Sequence, residues 1–458
     1  MSLLSAATRA RTSLHTVKLA SAAGPSALQS RGYAAPKKAE ASKKMRQGFR
    51  AGGKDRKADG TPAVKREKRL GVFRPMSANQ LNNPIFQADT FDELTLLPTF
   101  HSSEITQGNI GKALSFPLPE NDVVRIFGVP RNLLVDFRVL SKPTSVIRDV
   151  TVQLVDKLQA AGQGSSKNSR TVLAGDAGSG KSYLLLQAVE YAASSNWIVM
   201  YFPRAVNLVN SSTNYSYDLR TQTYLQPVFA YQTLQRFLTV NAHAISSLRT
   251  QAETAVEQGP PVPAGTSLAD LIEVGLKDKS LAPSVLTALM AELGKQTEHP
   301  VLLAIDDFQA LLCKSAYRDP HFSTIKSWHL SMPRLLLDYV SGKKTFARGA
   351  VIGALSSSNT DFKLTPELRH ALGLQPELKF SPFKNIAPEY EAFTAGVQTM
   401  IVPSQLKVEE AASLFEVWMK NRSLHTPAND EFFMSKFAES GGNARDFVWR
   451  GLLGTLQT

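Results

Sequence analysis

Val172-Leu173-Ala174-Gly175-Asp176-Ala177-Gly178-Ser179-Gly180-Lys181-Ser182-Tyr183 reads as a short apolar strand, a turn of the form G-x-x-x-x-G-K-S, and the start of a helix that runs on through Leu184-Leu185-Leu186. Strand, loop and helix in that order are the context that makes this pattern a P-loop. Gly175, Gly178 and Gly180 permit positive φ, so the backbone N–H groups from Asp176 and Ala177 through Ser179 can converge on an anion. Lys181 offers an ammonium to the outer phosphates and Ser182 a hydroxyl to Mg²⁺, while the helix N-terminus adds partial positive charge. The predicted nucleotide-binding set is residues 175–182 with Tyr183 beside them.

A second stretch supports the first. Val301-Leu302-Leu303-Ala304-Ile305 is a continuous apolar run ending in Asp306-Asp307. Such a run suits a strand buried on both faces of a parallel sheet, whose C-terminal end is where ligands of these sheets bind. Asp306 is the expected water-mediated partner of Mg²⁺, and Asp307 is the candidate to orient an attacking water. A further apolar run, Ala350 to Leu355, ends in Ser356-Ser357-Ser358-Asn359. Ser356 is placed there to sense the terminal phosphate or the water.

The formal net charge of +13 is concentrated at one end of the 458 residues. Residues 1–35 carry Arg9, Arg11, Lys18 and Arg31 and no acid, and residues 36–70 are rich in Lys and Arg; together they account for the whole excess. The acid-free, Ser- and Ala-rich start resembles a mitochondrial transit peptide, with cleavage expected after Tyr33. Residues 36–70 are too polar to form a core. They read as a solvated linker, as an arm that neutralises RNA phosphates, or as a contact for an anionic membrane surface. The single cysteine, Cys313, excludes an intrachain disulfide and is expected in the core, and no apolar run nears the roughly 20 residues of a membrane span. The eight histidines lack the spacing of metal ligands.

Residues 71–120, broken by Pro75, Pro84, Pro98 and Pro117, read as an extended segment lying on the outside of a neighbour or of the protein itself. Regular structure is expected from about Asp122. A helix is predicted to start at Pro143-Thr144-Ser145 and continue through Val146, Val150, Leu154 and Leu158. Trp197 to Phe202 reads as a buried strand, Val397 to Val402 as the last strand, and residues 207–224, with Tyr215, Tyr217 and Tyr224, as a docking loop. Residues 404–458 read as helical, with Val408, Ala411, Phe415, Trp418 and Met419 on one face. The predicted fold class is α/β: a P-loop NTPase of AAA+-like type, with helices on both faces of a parallel sheet. The expected units are 1–33, 34–120, a nucleotide-binding domain over 121–403 and a helical cap over 404–458. In that arrangement Arg445, after the Gly441-Gly442 turn, either reaches the phosphates or faces Asp446.

The succession of basic tail, Phe127-Gly128-Val129-Pro130, Ser145-Val146-Ile147-Arg148-Asp149, the P-loop, Ile305-Asp306-Asp307 and Gly353-Ala354-Leu355-Ser356 resembles the death-associated protein family, the P-loop protein of the mitochondrial ribosomal small subunit. The likeness covers roughly residues 120–458. It implies a matrix protein in the head of the small subunit that binds a purine nucleotide, GTP or GDP, with Mg²⁺. Its implied partners are small-subunit rRNA, neighbouring small-subunit proteins, and large-subunit proteins at the subunit interface. The sequence departs from active AAA+ enzymes at Asp307, where they usually carry glutamate; the shorter side chain disfavours brisk turnover. No Asn-Lys-x-Asp motif is present to read guanine, so ATP stays open. Three function classes follow: a structural ribosomal subunit with bound nucleotide, an AAA+-like NTPase or switch, and a soluble matrix enzyme such as a kinase. The basic tail and the 71–120 segment favour the first.

Overall fold

The computed structural model describes residues 93–456, apart from 254–255, 257–260, 358, 375–387 and 425. The predicted transit peptide, the basic arm, the start of the extended segment and Ser358 lie outside the described residues. Two short strands, β1 (Ala113–Ser115) and β2 (Thr144–Val146), pair antiparallel ahead of the P-loop. Next come β3 (Arg170–Ala174) and β4 (Ile198–Phe202), then a hairpin of β5 (Ser216–Asp218) and β6 (Thr223–Leu225). The acid-bearing strand is β7 (Val301–Ile305), followed by a second hairpin of β8 (Lys314–Arg318) and β9 (Thr324–Lys326). β10 (Gly349–Ala354) and β11 (Gln398–Ile401) complete the set.

Five strands form one sheet in the order β11-β3-β10-β7-β4, every pair parallel. β7, β10 and β3 from Val172 onward carry no polar side chain because both faces are covered. Val172, Met200 and Leu303 point to one face, under helices Pro227–Ser247, Leu268–Lys277, Ala282–Lys295 and Ser331–Val340. Leu173, Val199, Tyr201 and Leu302 point to the other, under helices Asp149–Ala161 and Lys181–Ser194. This is the predicted α/β fold. Parallel pairing brings the C-terminal ends of β3, β7 and β10 together, with Gly353 opposite Val172 on one side and Ile305 on the other, so the chain leaves all three strands at the same end of the sheet.

Three expectations need correction. The segment after Leu94 is not an outer wrapping: Phe100, Ile105, Leu114 and Phe116 are buried in the same core as the P-loop helix. Phe116 stacks between Phe100 and Phe137 at centroid distances of 5.5 and 5.7 Å. Thr144-Ser145-Val146 is a strand and the helix begins at Asp149, because these residues take up the edge offered by β1. On helix Val408–Lys420, Ala411, Phe415 and Trp418 are buried as expected, whereas Val408 and Met419 are exposed. The C-terminal helices pack around Trp418 and Phe447 and draw in Leu94 and Leu140 from the other end of the described chain.

Cys313 is buried, and its thiol donates to the Lys363 carbonyl at 3.3 Å. Burial pushes this thiol up to about 11. Since the thiolate is the nucleophile, the native protein is expected to resist a maleimide at pH 8 and to label only on unfolding. Rapid labelling of native protein would contradict that placement.

Candidate functional site

The loop after β3 is built on glycines at two close approaches. Gly175 has φ +149°, and a Cβ there would lie 2.6 Å from the Val402 carbonyl at the end of β11. Gly178 has φ +82°, and a Cβ would meet the Asn443 side chain and lie 2.9 Å from Arg445 Cβ. Gly180 closes the loop as the left-handed N-cap of helix Lys181–Ser194.

Lys181 is folded back onto its own loop. Its ammonium donates to the Gly175 carbonyl at 2.9 Å and also to that of Asp176. Burial pulls the ammonium down to about 8, with Arg445 adding to the effect and Asp306 and Asp176 opposing it. Asp306 is 1% exposed, and burial, then Asp307 beside it, raises its carboxyl above the ordinary range. The Ser182 hydroxyl, the Asp307 N–H (2.9 Å) and Lys181 offset part of that rise. A buried carboxylate touching the P-loop hydroxyl is a hard-oxygen pair that fits Mg²⁺, a cation that otherwise keeps waters and phosphate oxygens as ligands. Among the described residues no cluster of three His, Cys, Asp or Glu side chains could hold a metal by itself.

Asp307 has left-handed backbone (φ 55°). Its carboxyl is raised by burial and held partly in check by a hydrogen bond from Ser356 and by the Arg204 charge. The Ser356 backbone is fixed in turn by the buried Gln309, which accepts from its N–H at 3.0 Å and donates to its carbonyl at 2.8 Å. Asp307 and Ser356 therefore face each other at the sheet edge.

Beside the loop lies a cavity of about 160 Å³, lined by Gly178 to Tyr183, Ser356 and Arg445 among the predicted residues. Gly175, Asp176, Ala177, Asp306 and Asp307 are not among its lining residues. The remaining walls come from the segment before the P-loop (Leu133, Asp136, Thr144, Val146) and from the C-terminal helices (Leu414, Val448, Trp449). Arg445 stands at the rim. Its backbone N–H donates to the Gly178 carbonyl at 3.2 Å, and its guanidinium lies 3.8 Å from Asp446.

Two residues that sequence reasoning did not place in the site hold it together. Arg148 donates to the Ser179 carbonyl (2.8 Å) and the Gln405 carbonyl (2.9 Å), and pairs with Glu410 at 3.1 Å. Asn443 donates to the Ala177 carbonyl at 2.8 Å while its oxygen caps the turn that starts at Ala444. An asparagine after two glycines is an N-cap signal and could have been found; nothing local marks Arg148. Gln187 joins β2 to the P-loop helix, donating to Ser145 (2.6 Å) and Val146 (2.9 Å) and accepting from Thr151 (2.8 Å).

A sequence model of the family described as mitochondrial ribosomal death-associated protein 3 matches residues 145–449. The chain is similar to the small ribosomal subunit protein mS29 of Neurospora crassa, with 28% identity over 364 residues, 77% of this chain and 76% of that protein. The protein of the same name from Schizosaccharomyces pombe is 27% identical over 341 residues, 72% of this chain and 69% of the relative. Among solved structures, the ORC2 protein of Aeropyrum pernix in its ADP form aligns with a TM-score of 0.30 and 14% identity, over 65% of this chain and 58% of that chain.

Proposed function

The chain belongs to the mitochondrial ribosomal death-associated protein 3 family, and from that premise we propose that it is a structural component of the mitochondrial small ribosomal subunit whose P-loop holds a purine nucleotide with Mg²⁺. Its place is the mitochondrial matrix, where small-subunit rRNA and neighbouring ribosomal proteins are its partners. No described helix is long and apolar enough to cross a membrane.

The observation that supports a structural role for the nucleotide is the double tie at the P-loop. Arg148 and Asn443 fasten the carbonyls of Ser179 and Ala177 to the C-terminal helices. The loop that a nucleotide would fill is thus also the joint between sheet and helical cap. Phosphates would replace the Gly175 and Asp176 carbonyls as partners of Lys181, and Ser182 with Asp306 would hold the Mg²⁺. The metal would neutralise phosphate charge there; Arg445 would approach from the rim.

Hydrolysis is tested separately. Asp307→Asn keeps an acceptor oxygen for Ser356 and is expected to leave nucleotide content and subunit incorporation within about twofold of wild type, about 0.4 kcal/mol. Sedimentation of mitochondrial extract, with nucleotide analysis and phosphate release on the purified chain, checks this. Strong phosphate release by wild type that Asp307→Asn removes, with incorporation intact, would overturn the structural reading in favour of an AAA+-like NTPase.

A further inference from the structure

A second cavity, of about 410 Å³, lies at the end of the sheet opposite the P-loop, where Trp197 leads into β4 and His299 approaches β7. It shares no lining residue with the cavity beside the P-loop, and its Glu190 sits nine residues, roughly 14 Å, along the helix from Lys181. Exposed Asn121, Asn196 and His243 line it together with two buried carboxyls, Asp122 (8% exposed) and Glu190 (3% exposed). The two carboxyls are hydrogen-bonded to each other. Asp122 Oδ2 also caps helix Val123–Phe127, accepting from the N–H groups of Val124 (2.9 Å) and Arg125 (3.3 Å). Glu190 Oε1 is buried and has no hydrogen-bond partner. Neighbouring polar groups are already committed: Asn241 to the N–H and carbonyl of Val199, Ser194 to the Tyr191 carbonyl, and His299 Nδ1 to the Asn196 carbonyl. Buried polar atoms are normally paired, so an acceptor left over beside an open cavity points to a ligand that donates.

We propose that this cavity binds the ammonium end of a linear aliphatic amine, the chemistry of putrescine and the longer polyamines, with Glu190 Oε1 and the Asp122 carboxylate as acceptors. Charge decides the class. Burial, then Asp122 beside it, raises the Glu190 carboxyl well above the ordinary range and keeps it protonated. Burial raises Asp122 to about 6, with the helix N–H groups opposing the rise. At neutral pH the pair therefore carries one negative charge, which one ammonium neutralises. A divalent metal would need the second proton removed and further oxygen ligands; among the described residues no three His, Cys, Asp or Glu side chains meet to hold one. An ammonium brings three N–H donors, enough for the orphaned oxygen and its neighbour. Val123, Ala193, Trp197 and Val240 supply apolar wall for a methylene stem.

The test is calorimetric titration of the full chain, freed of nucleic acid, with putrescine. Tetramethylammonium, which carries the charge but no N–H, and K⁺ serve as competitors. Wild type is expected to bind putrescine at least roughly tenfold more tightly than either, the scale of one hydrogen bond to a charged group. Asp122→Asn keeps a good helix cap but removes the charge, and should weaken putrescine by about ten- to a hundredfold. Glu190→Gln copies the protonated acid, with a donor for Asp122 and a carbonyl oxygen for the ligand, and should bind within about threefold of wild type, a difference smaller than one hydrogen bond. Ala193→Lys, one turn beyond Glu190 on the same face of the helix, supplies a tethered ammonium and should abolish putrescine binding. No putrescine binding by wild type, or binding no tighter than that of tetramethylammonium or K⁺, overturns the proposal. Undiminished binding in Asp122→Asn or in Ala193→Lys also overturns it, and loss of binding in Glu190→Gln does so in favour of a site that needs both carboxylates ionised.

Discussion

Lys181→Ala is expected to abolish nucleotide binding and to uncouple the melting temperature of the protein from nucleotide concentration. A ligand that binds only the folded state adds RT ln(1 + [L]/Kd), about 2.7 kcal/mol at a hundredfold excess over Kd, and the variant should lose all of it. The empty variant should melt near the empty wild type. Gly175 and Asp176, whose carbonyls the ammonium caps, are exposed, so water can take its place. Thermal melts with and without Mg²⁺ and nucleotide give the answer. A nucleotide-dependent shift that survives in Lys181→Ala would remove the P-loop from the binding site.

Arg148→Ala should cost about 3–5 kcal/mol, the usual penalty for stranding one member of a buried ion pair. Glu410 is 3% exposed and, among the described residues, would be left with the Lys407 N–H, at 3.1 Å, as its donor in place of the guanidinium. The carbonyls of Ser179 and Gln405 would lose their donor in the same step. Urea denaturation measures the loss. The double variant Arg148→Ala/Glu410→Gln should regain part of it, since a neutral amide tolerates the vacancy better than a carboxylate. A single variant as stable as wild type would show that the pair holds nothing.

The parts of the fold legible in the sequence are those encoded locally. β7, β10 and β3 from Val172 onward are uninterrupted apolar runs because each is covered twice, and a motif or a polar cluster marks where each one ends. β2 was not legible. Thr144-Ser145-Val146 ahead of a helical pattern looks like the first turn of that helix, and only pairing with Ala113–Ser115, about thirty residues upstream, makes it a strand. The candidate site divides in the same way. Its phosphate side is written in consecutive residues and was read from them. Its other walls are assembled from Leu133, Asp136 and Thr144 on one side and Leu414, Val448 and Trp449 on the other, residues with no shared pattern until the chain folds. Asp136, in an ordinary stretch of mixed polarity, carries no local mark of its position.

The tie from Asn443 to Ala177 spans 266 residues of chain. A protein made or imported from its N-terminus displays the whole glycine-rich motif long before the residue that finishes the loop has arrived. Every product that stops short of Gly441 would therefore carry an intact motif and an unfinished cradle. Retention of the proposed nucleotide would then report that the far end of the chain is in place. Truncated copies would be left without ligand stabilisation and exposed to proteolysis before they compete for a place in the assembly.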